Sequence, residues 1–391
     1  MTRLPDRIMG DAALQSVFDA LEAGGHRAWL VGGAVRNALL GEPVDDLDLA
    51  TDAPPDAVTQ LAGAAGLRPV PTGIDHGTVT VVADGRGFEV TTLRRDVETD
   101  GRRAVVAFSD DLAQDARRRD FTMNAMYADR EGRVIDPVGG LDDLRARRLR
   151  FVGDPARRIA EDYLRILRFF RFFARYGKEI DASALAACTD MRAGLDTISR
   201  ERVGQEMRKI LDVSEPSLTI WLMAKTGVLA QVLPGAMPGR LYSLEAIWGR
   251  PRWLTRLAAL SQHDLMDALR LSRDEARDHK RLVIAMTENW SFNRIGYLLA
   301  PPLSDAAAML VQTRDNGDGP ALIAPRPGWA YARIAGQVNR LPVTAADLQP
   351  RLQGPALGRG LKAAEHAWIE SGFALPASAL INIAILAGES R

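Results

Sequence analysis

The 391 residues carry fifty acidic and fifty basic side chains, so no net charge draws the chain toward a polyanion, and any nucleic-acid partner must be held by local basic patches. With 47% hydrophobic residues it can bury a substantial core and is long enough for two or more domains. The single Cys188 and five scattered histidines exclude a disulfide framework and any Cys/His zinc spacing. No apolar run is long enough for a membrane helix and the first eleven residues are too polar for a secretory signal, which predicts a cytoplasmic protein with no membrane partner.

Residues 1 to about 27 predict a helix with Ala13, Val17, Phe18 and Leu21 on one face, closed by Gly24-Gly25. Residues 29–31 then read as a short apolar strand, and Gly32-Gly33 as a sharp turn whose backbone can approach a ligand closely. A helix over 34–40 follows. Its free N–H groups beside Gly33 suit a phosphate, Arg36 adds a cation, and Gly41 ends it. In Asp46-Leu47-Asp48-Leu49, strand alternation places the leucines on a core face and both carboxylates on the other. Paired carboxylates next to a phosphate-binding turn suit a hard cation, Mg²⁺, making Asp46 and Asp48 the candidate catalytic and metal-binding residues. A plain solvent-facing strand edge is the alternative, which the adjacent Gly-Gly turn and Arg36 disfavour.

After a turn at Asp52-Ala53-Pro54-Pro55, a helix is expected over 56–65 and strands over 68–71, 77–83 and 87–93, the last two joined by a hairpin at 84–87. Glu89 is a candidate third carboxylate. Residues 93–103 are charged and lack apolar periodicity, which predicts a mobile loop. A strong helix is expected over 161–176, acidic at its start and basic further along. Asp162 and Arg165 would lie side by side on it, either as an ordinary surface ion pair or as a reader of bases. Cytosine and adenine both present an amino donor beside a ring-nitrogen acceptor, which an accepting carboxylate next to a donating guanidinium fits. Uracil and guanine present a carbonyl and an N–H there, and mismatch both contacts. From about residue 215 the pattern is helical, with candidate RNA-backbone patches at 250–256 and 277–281 and a possible phosphate cradle at 354–362, each equally readable as ordinary surface or loop. His263-Asp264 has no second histidine nearby and is not read as a metal site.

Three motifs carry a resemblance. Gly32-Gly33-Ala34-Val35-Arg36 followed by Asp46-Leu47-Asp48-Leu49-Ala50-Thr51, then Arg118-Arg119-Asp120-Phe121-Thr122-Met123-Asn124-Ala125, then Glu161-Asp162 with Arg165, occur in the order seen in class II nucleotidyltransferases. That family includes the tRNA CCA-adding enzymes and bacterial poly(A) polymerases. The resemblance implies an α+β chain: an N-terminal mixed-sheet head over 1–150, a helical neck over 151–214 and a helical body and tail over 215–391. It further implies that Arg119 reaches the triphosphate, that Asp120 and Asn124 brace the site, that Arg168 and Arg171 point toward base and phosphates, and that residues 93–103 govern a switch from C to A. Asn37 stands where the family usually has Asp. Residues 71–81 are more similar to the CCA-adding branch. The activity implied is addition of C, C and A to the 3′ end of tRNA from CTP and ATP with Mg²⁺, without an obligate protein partner. A poly(A) polymerase or a catalytically silent RNA-binding protein on the same fold are the alternatives.

Overall fold

Ala28, Trp29, Leu30 and Val31 are all buried and form β1 (Ala28–Val31), the strand on which the head is laid out. Before it come a single turn, α1 (Asp6–Met9), and α2 (Ala12–Ala23), whose buried Val17, Phe18 and Leu21 match the predicted apolar face. The predicted single helix is thus two, divided where Asp11 caps α2 by accepting from the Leu14 N–H. Gly32 adopts φ 65° and ψ −119°, a conformation open in practice only to glycine, and starts α3 (Gly33–Leu40), which Gly41 ends in the left-handed region. β2 (Leu49–Thr51) and α4 (Pro55–Ala64) follow, then β3 (Arg68–Gly73), β4 (Thr78–Ala83) and β5 (Arg86–Thr92).

The computed structural model describes residues 2–100, 103–314, 324–349 and 351–390. Its head sheet runs β3-β4-β5-β2-β1 and is completed by β8 (Tyr127–Ala128) and β9 (Val134–Ile135). All neighbours in it are antiparallel except β2 and β5, which are parallel, so the sheet is mixed, in keeping with the expected α+β head. Leading to β8 are β6 (Arg94–Asp100), β7 (Arg103–Phe108) and α5 (Leu112–Arg117). β6 and β7 pair antiparallel as a separate ribbon, which corrects the expected loop over 93–103. The charged stretch has no periodicity of its own, but Ala104-Val105-Val106 just beyond it supplies a strand for it to pair with. Positions 101–102 lie outside the described residues.

α6 (Gly140–Ala146) closes the head, and a short parallel pair joins β10 (Arg148–Leu149) to β11 (Glu179–Ile180). The helix expected over 161–176 is broken near its start. α7 (Pro155–Glu161) ends at Asp162, whose φ −158° and ψ 105° are extended, and α8 (Leu164–Tyr176) begins two residues later. Tyr163, in that break, lies against Gly194, and a β-carbon on Gly194 would come within 1.9 Å of the tyrosine ring. α9 (Ala182–Asp190) and α10 (Arg200–Leu211) follow.

The chain divides into two compact units, Met1–Glu206 with Lys225–Gln231, and Met207–Ala224 with Val232–Arg391. The second unit is helical. One of its cores joins Leu244, Ala258, Leu282, Met286, Ile295 and Leu310, and another joins Leu348, Leu352, Ala364, Trp368, Leu380 and Ala384. Two of its expected surface features are corrected. Arg256 is only 2% exposed and donates to the carbonyls of Leu211, Val213 and Ser214, so it closes the end of α10 and is withdrawn from any basic patch. The segment 354–362 is the start of the helix Gly354–Glu370, where Arg359 donates to the Gly388 carbonyl.

The contact at Gly194 makes a stability prediction. Gly194→Ala forces the Tyr163 ring to move, and overpacking of this kind costs about 1–3 kcal/mol. Urea unfolding should show that loss; a midpoint equal to the parent protein's would mean the break tolerates a shift of Tyr163.

Candidate active site

The segment bearing Asp46 and Asp48 precedes β2, which begins at Leu49, so the carboxylates lie just ahead of the N-terminal end of the sheet's central strand instead of within it. The alternation holds: Leu47 and Leu49 are buried, Asp46 is exposed and Asp48 partly buried. The Asp48 carbonyl accepts from the Val31 N–H at 3.0 Å, which fixes the segment against β1 just ahead of the Gly32 turn. Because β2 and β5 run parallel with Leu49 opposite Val90, Glu89 comes to the same end of the sheet as Asp48. Burial, the charge of Glu89 and the charge of Asp46 push the Asp48 carboxyl up to about 6, against the opposing pull of Arg119. Glu89 is therefore near enough for its charge to act on Asp48, but among the described residues no three such side chains form a metal-binding group.

Arg119 sits across from this crowd. Its Nε and Nη2 donate to Asp115 Oδ2 at 3.1 and 2.9 Å, and Nε also donates to the Tyr127 hydroxyl at 3.1 Å. Tyr127 in turn donates to Asp115 at 2.7 Å. Burial alone would weaken the guanidinium's hold on its proton, but Asp115 and Tyr127 reverse this and raise its pKa. Nη1 lies 3.5 Å from the place a β-carbon on Gly32 would occupy and has no hydrogen-bond acceptor among the described residues. One donor of a fixed, charged fork is thus left beside the glycine turn, an arrangement suited to an anion.

The other predicted cations are differently placed. Arg36 is 6% exposed, and its donors go to Asn37, Asn124 and Tyr176, with Phe172 and Tyr176 rings against its face. Burial lowers its pKa, and in the free protein its donors brace α3 against α8. Asn37 Oδ1 accepts from Arg36 while its amide donates to the Pro43 carbonyl at 2.9 Å, so this position fastens the segment leading to Asp46. Arg168 is likewise committed, since its Nε and Nη2 donate to Asp120 Oδ2. Burial would raise the Asp120 carboxyl, but Arg168, Asn124 and the Phe121 N–H together hold it below the usual range. Arg171 pairs with Glu206 at 2.7 Å.

Asp162 and Arg165 are not side by side on one helix. Asp162 lies in the break before α8, where its Oδ1 accepts from the Leu164 N–H at 3.1 Å and its Oδ2 from Arg202 at 2.7 Å. Arg165, in the first turn of α8, donates from Nη1 to Glu161 at 2.6 Å and to the Arg158 carbonyl at 2.7 Å. Its Nε and Nη2 have no partner among the described residues. Both groups stay at the start of α8, each held by a different neighbour. Asp115, Tyr127, Tyr176, Glu206 and Arg202 were not singled out in the sequence. Of these, only Asp115, four residues before Arg119 and so on the same helical face, gave a readable signal.

A mixed sheet with carboxylates at one end and a glycine turn and half-buried arginine facing them defines a nucleotidyltransferase head. Residues 28–150 match the family described as Poly A polymerase head domain, and residues 178–238 that described as Probable RNA and SrmB- binding site of polymerase A. In its head the chain is thus similar to that poly(A) polymerase head-domain family and to proteins named CCA-adding enzyme. It is 39% identical over 260 residues to the mitochondrial CCA tRNA nucleotidyltransferase 1 of Danio rerio, covering 63% of this chain and 60% of that one. With the CCA-adding enzyme of Bacillus pumilus it shares 39% over 247 residues, 60% of each chain. The chain thus spans at most about three-fifths of the length of these curated relatives. The solved structure of the Bacillus stearothermophilus CCA-adding enzyme in complex with CTP superposes with a TM-score of 0.69 at 28% identity and 92% coverage of both chains.

The crowding at Asp48 predicts a pH dependence. An acid whose folded pKa lies above its unfolded value of 3.8 contributes stability that is fully present below that value and is lost as pH rises through about 6. With divalent ions chelated, Asp48→Asn should match the parent near pH 4 and exceed it above pH 6.5, by on the order of 1–2 kcal/mol. Thermal unfolding across that range checks it; a difference that does not change with pH would refute the crowding.

Proposed function

We propose that this chain adds C, C and A in turn to the 3′ end of tRNA, using CTP and ATP and releasing diphosphate. The observation that carries the reading is the meeting of a crowded carboxylate, Asp48, with a guanidinium that keeps one donor open beside the Gly32 turn. The names of the relatives, CCA tRNA nucleotidyltransferase and CCA-adding enzyme, support the substrate, and the CTP bound by the Bacillus stearothermophilus enzyme supports the nucleotide.

The residues fit a divalent cation. Asp48 is pressed by two like charges that a cation would relieve, while among the described residues no three metal-binding side chains already form a cage. Asp46 and Asp48 would hold Mg²⁺ at the N-terminal end of β2, where it would supply Lewis-acid polarisation of phosphate oxygens and activation of the hydroxyl. Arg119 Nη1 and the backbone N–H groups at the start of α3, from Gly33 onward, receive the triphosphate, the Gly32 N–H being taken by the Met126 carbonyl. The 3′-hydroxyl oxygen bonds the α-phosphorus, and the bond to the diphosphate oxygen breaks. Asp162 accepts from the exocyclic amine of C or A, and Arg165 donates through Nε or Nη2 to the ring nitrogen beside it. The ribbon of β6 and β7 is the segment that permits the change to A.

Two experiments test this. Incubation with Mg²⁺, labelled CTP or ATP and tRNA transcripts ending before CCA, after C or after CC should give stepwise addition that stops after A. Long A tails would indicate a poly(A) polymerase, and no transfer a silent RNA-binding protein. In the same assay Asp48→Ala should lower turnover at least about 100-fold with tRNA affinity kept; near-parental turnover in the folded variant would remove the metal role. Replacing residues 95–107 with a short Gly/Ser loop should preserve CC addition and impair the final A, whereas intact A addition would make the ribbon a connector.

A further inference from the structure

We infer that Arg202 is a positioning residue for base selection: from α10 it holds the Asp162 carboxylate in the orientation that reads cytosine and adenine. The inference rests on the proposed base-reading role of Asp162 and Arg165. Asp162 belongs to neither α7 nor α8, because its backbone is extended where the two helices part. A helix therefore does not aim its side chain, and other groups must. Two donors do so from different directions: the Leu164 N–H on Oδ1 and Arg202 Nη2 on Oδ2. Each carboxylate oxygen accepts twice, so both keep a site for a base amine after these bonds are made. The Leu164 bond is local and turns with the start of α8. The Arg202 bond spans 40 positions in the chain and ties the carboxylate to a second element. On the other half of the reader, Glu161 and the Arg158 carbonyl hold Arg165 by Nη1 alone and leave its other two nitrogens open.

Exposure separates this role from a structural one. The side chains of Arg202 and Asp162 are 47% and 30% exposed, and an ion pair that open to water adds little to stability. A merely structural Arg202 could be removed with no change in nucleotide preference. As an aiming group its loss lets the carboxylate rotate, so the correct bases lose a well-placed acceptor and the wrong ones meet a weaker mismatch.

The test compares Arg202→Ala, Arg202→Lys and Asp162→Ala in full-length protein, with all four nucleotides competing on a tRNA transcript ending before CCA, alongside thermal unfolding. Arg202→Ala should keep the parental melting temperature, lose about tenfold in kcat/KM for CTP and narrow the margin of CTP over UTP by about tenfold. Arg202→Lys, which retains a cation but not the fork, should recover part of both. If Asp162→Ala relaxes selection and Arg202→Ala leaves the ranking and kcat/KM unchanged, the positioning role is refuted while base reading stands. If Asp162→Ala also leaves selection unchanged, the base-reading role falls and the inference with it. A large fall in the melting temperature of Arg202→Ala with parental selectivity would assign the residue to stability alone.

Discussion

The carboxylate of Asp120 is the joint on which the catalytic unit turns. It is buried and would be costly as an isolated charge, yet four donors saturate it: the Phe121 N–H, the Asn124 amide, and Nε and Nη2 of Arg168. Arg168 comes from α8, and Asp120 directly follows Arg119. One ion pair thus fixes Arg119, proposed to meet the triphosphate, relative to the helix whose first turn carries Arg165. Asn124 adds a second tie, since its carbonyl oxygen accepts from Arg36, which is itself bonded to Tyr176 at the far end of α8. The helix is therefore anchored to the head near its middle and at its end, while its start, where the base is proposed to lie, is held by α7 and α10.

The arginines in this unit divide by what their donors meet. Arg36 and Arg168 are satisfied inside the fold and set distances between elements. Arg119 and Arg165 are held by part of the guanidinium and present the rest. A half-buried fork pinned on one side loses little further freedom when it takes a ligand, which is the sense in which such a site is organised in advance. Asp48 shows the complementary strategy. Its neighbours raise the cost of its charge in the free protein, and a cation that relieves the crowding recovers that cost on binding.

The sheet and its site were largely legible because each rests on local chemistry. The alternation of Leu47 and Leu49 with Asp46 and Asp48, the glycines at 32 and 33 and the turn at Asp84-Gly85 each dictate backbone geometry within a few residues. The family motifs identified the head's class. What periodicity did not show was the break at Asp162, since residues 161–176 contain no glycine or proline and the contact made there, Tyr163 against Gly194, is with a residue more than thirty positions away. The destinations of Arg36 and Arg256 were hidden for the same reason: a cation on an apparently polar stretch reveals nothing about distant carbonyls and amides that will surround it. The ribbon of β6 and β7 was missed because its pairing depends on the strand that follows it.

The parallel pairing of β2 with β5 has a consequence for how such a head can change over evolutionary time. Asp48 and Glu89 are placed by adjacent strands in register, and the chain between them, through α4, β3 and β4, returns to that register by a tight turn at Asp84 and Gly85, both at positive φ. The spacing of the carboxylates is therefore indifferent to the length of what lies between. New segments grafted at that turn would inherit the same arrangement of charges, because a ladder of backbone hydrogen bonds and not a loop measures the gap.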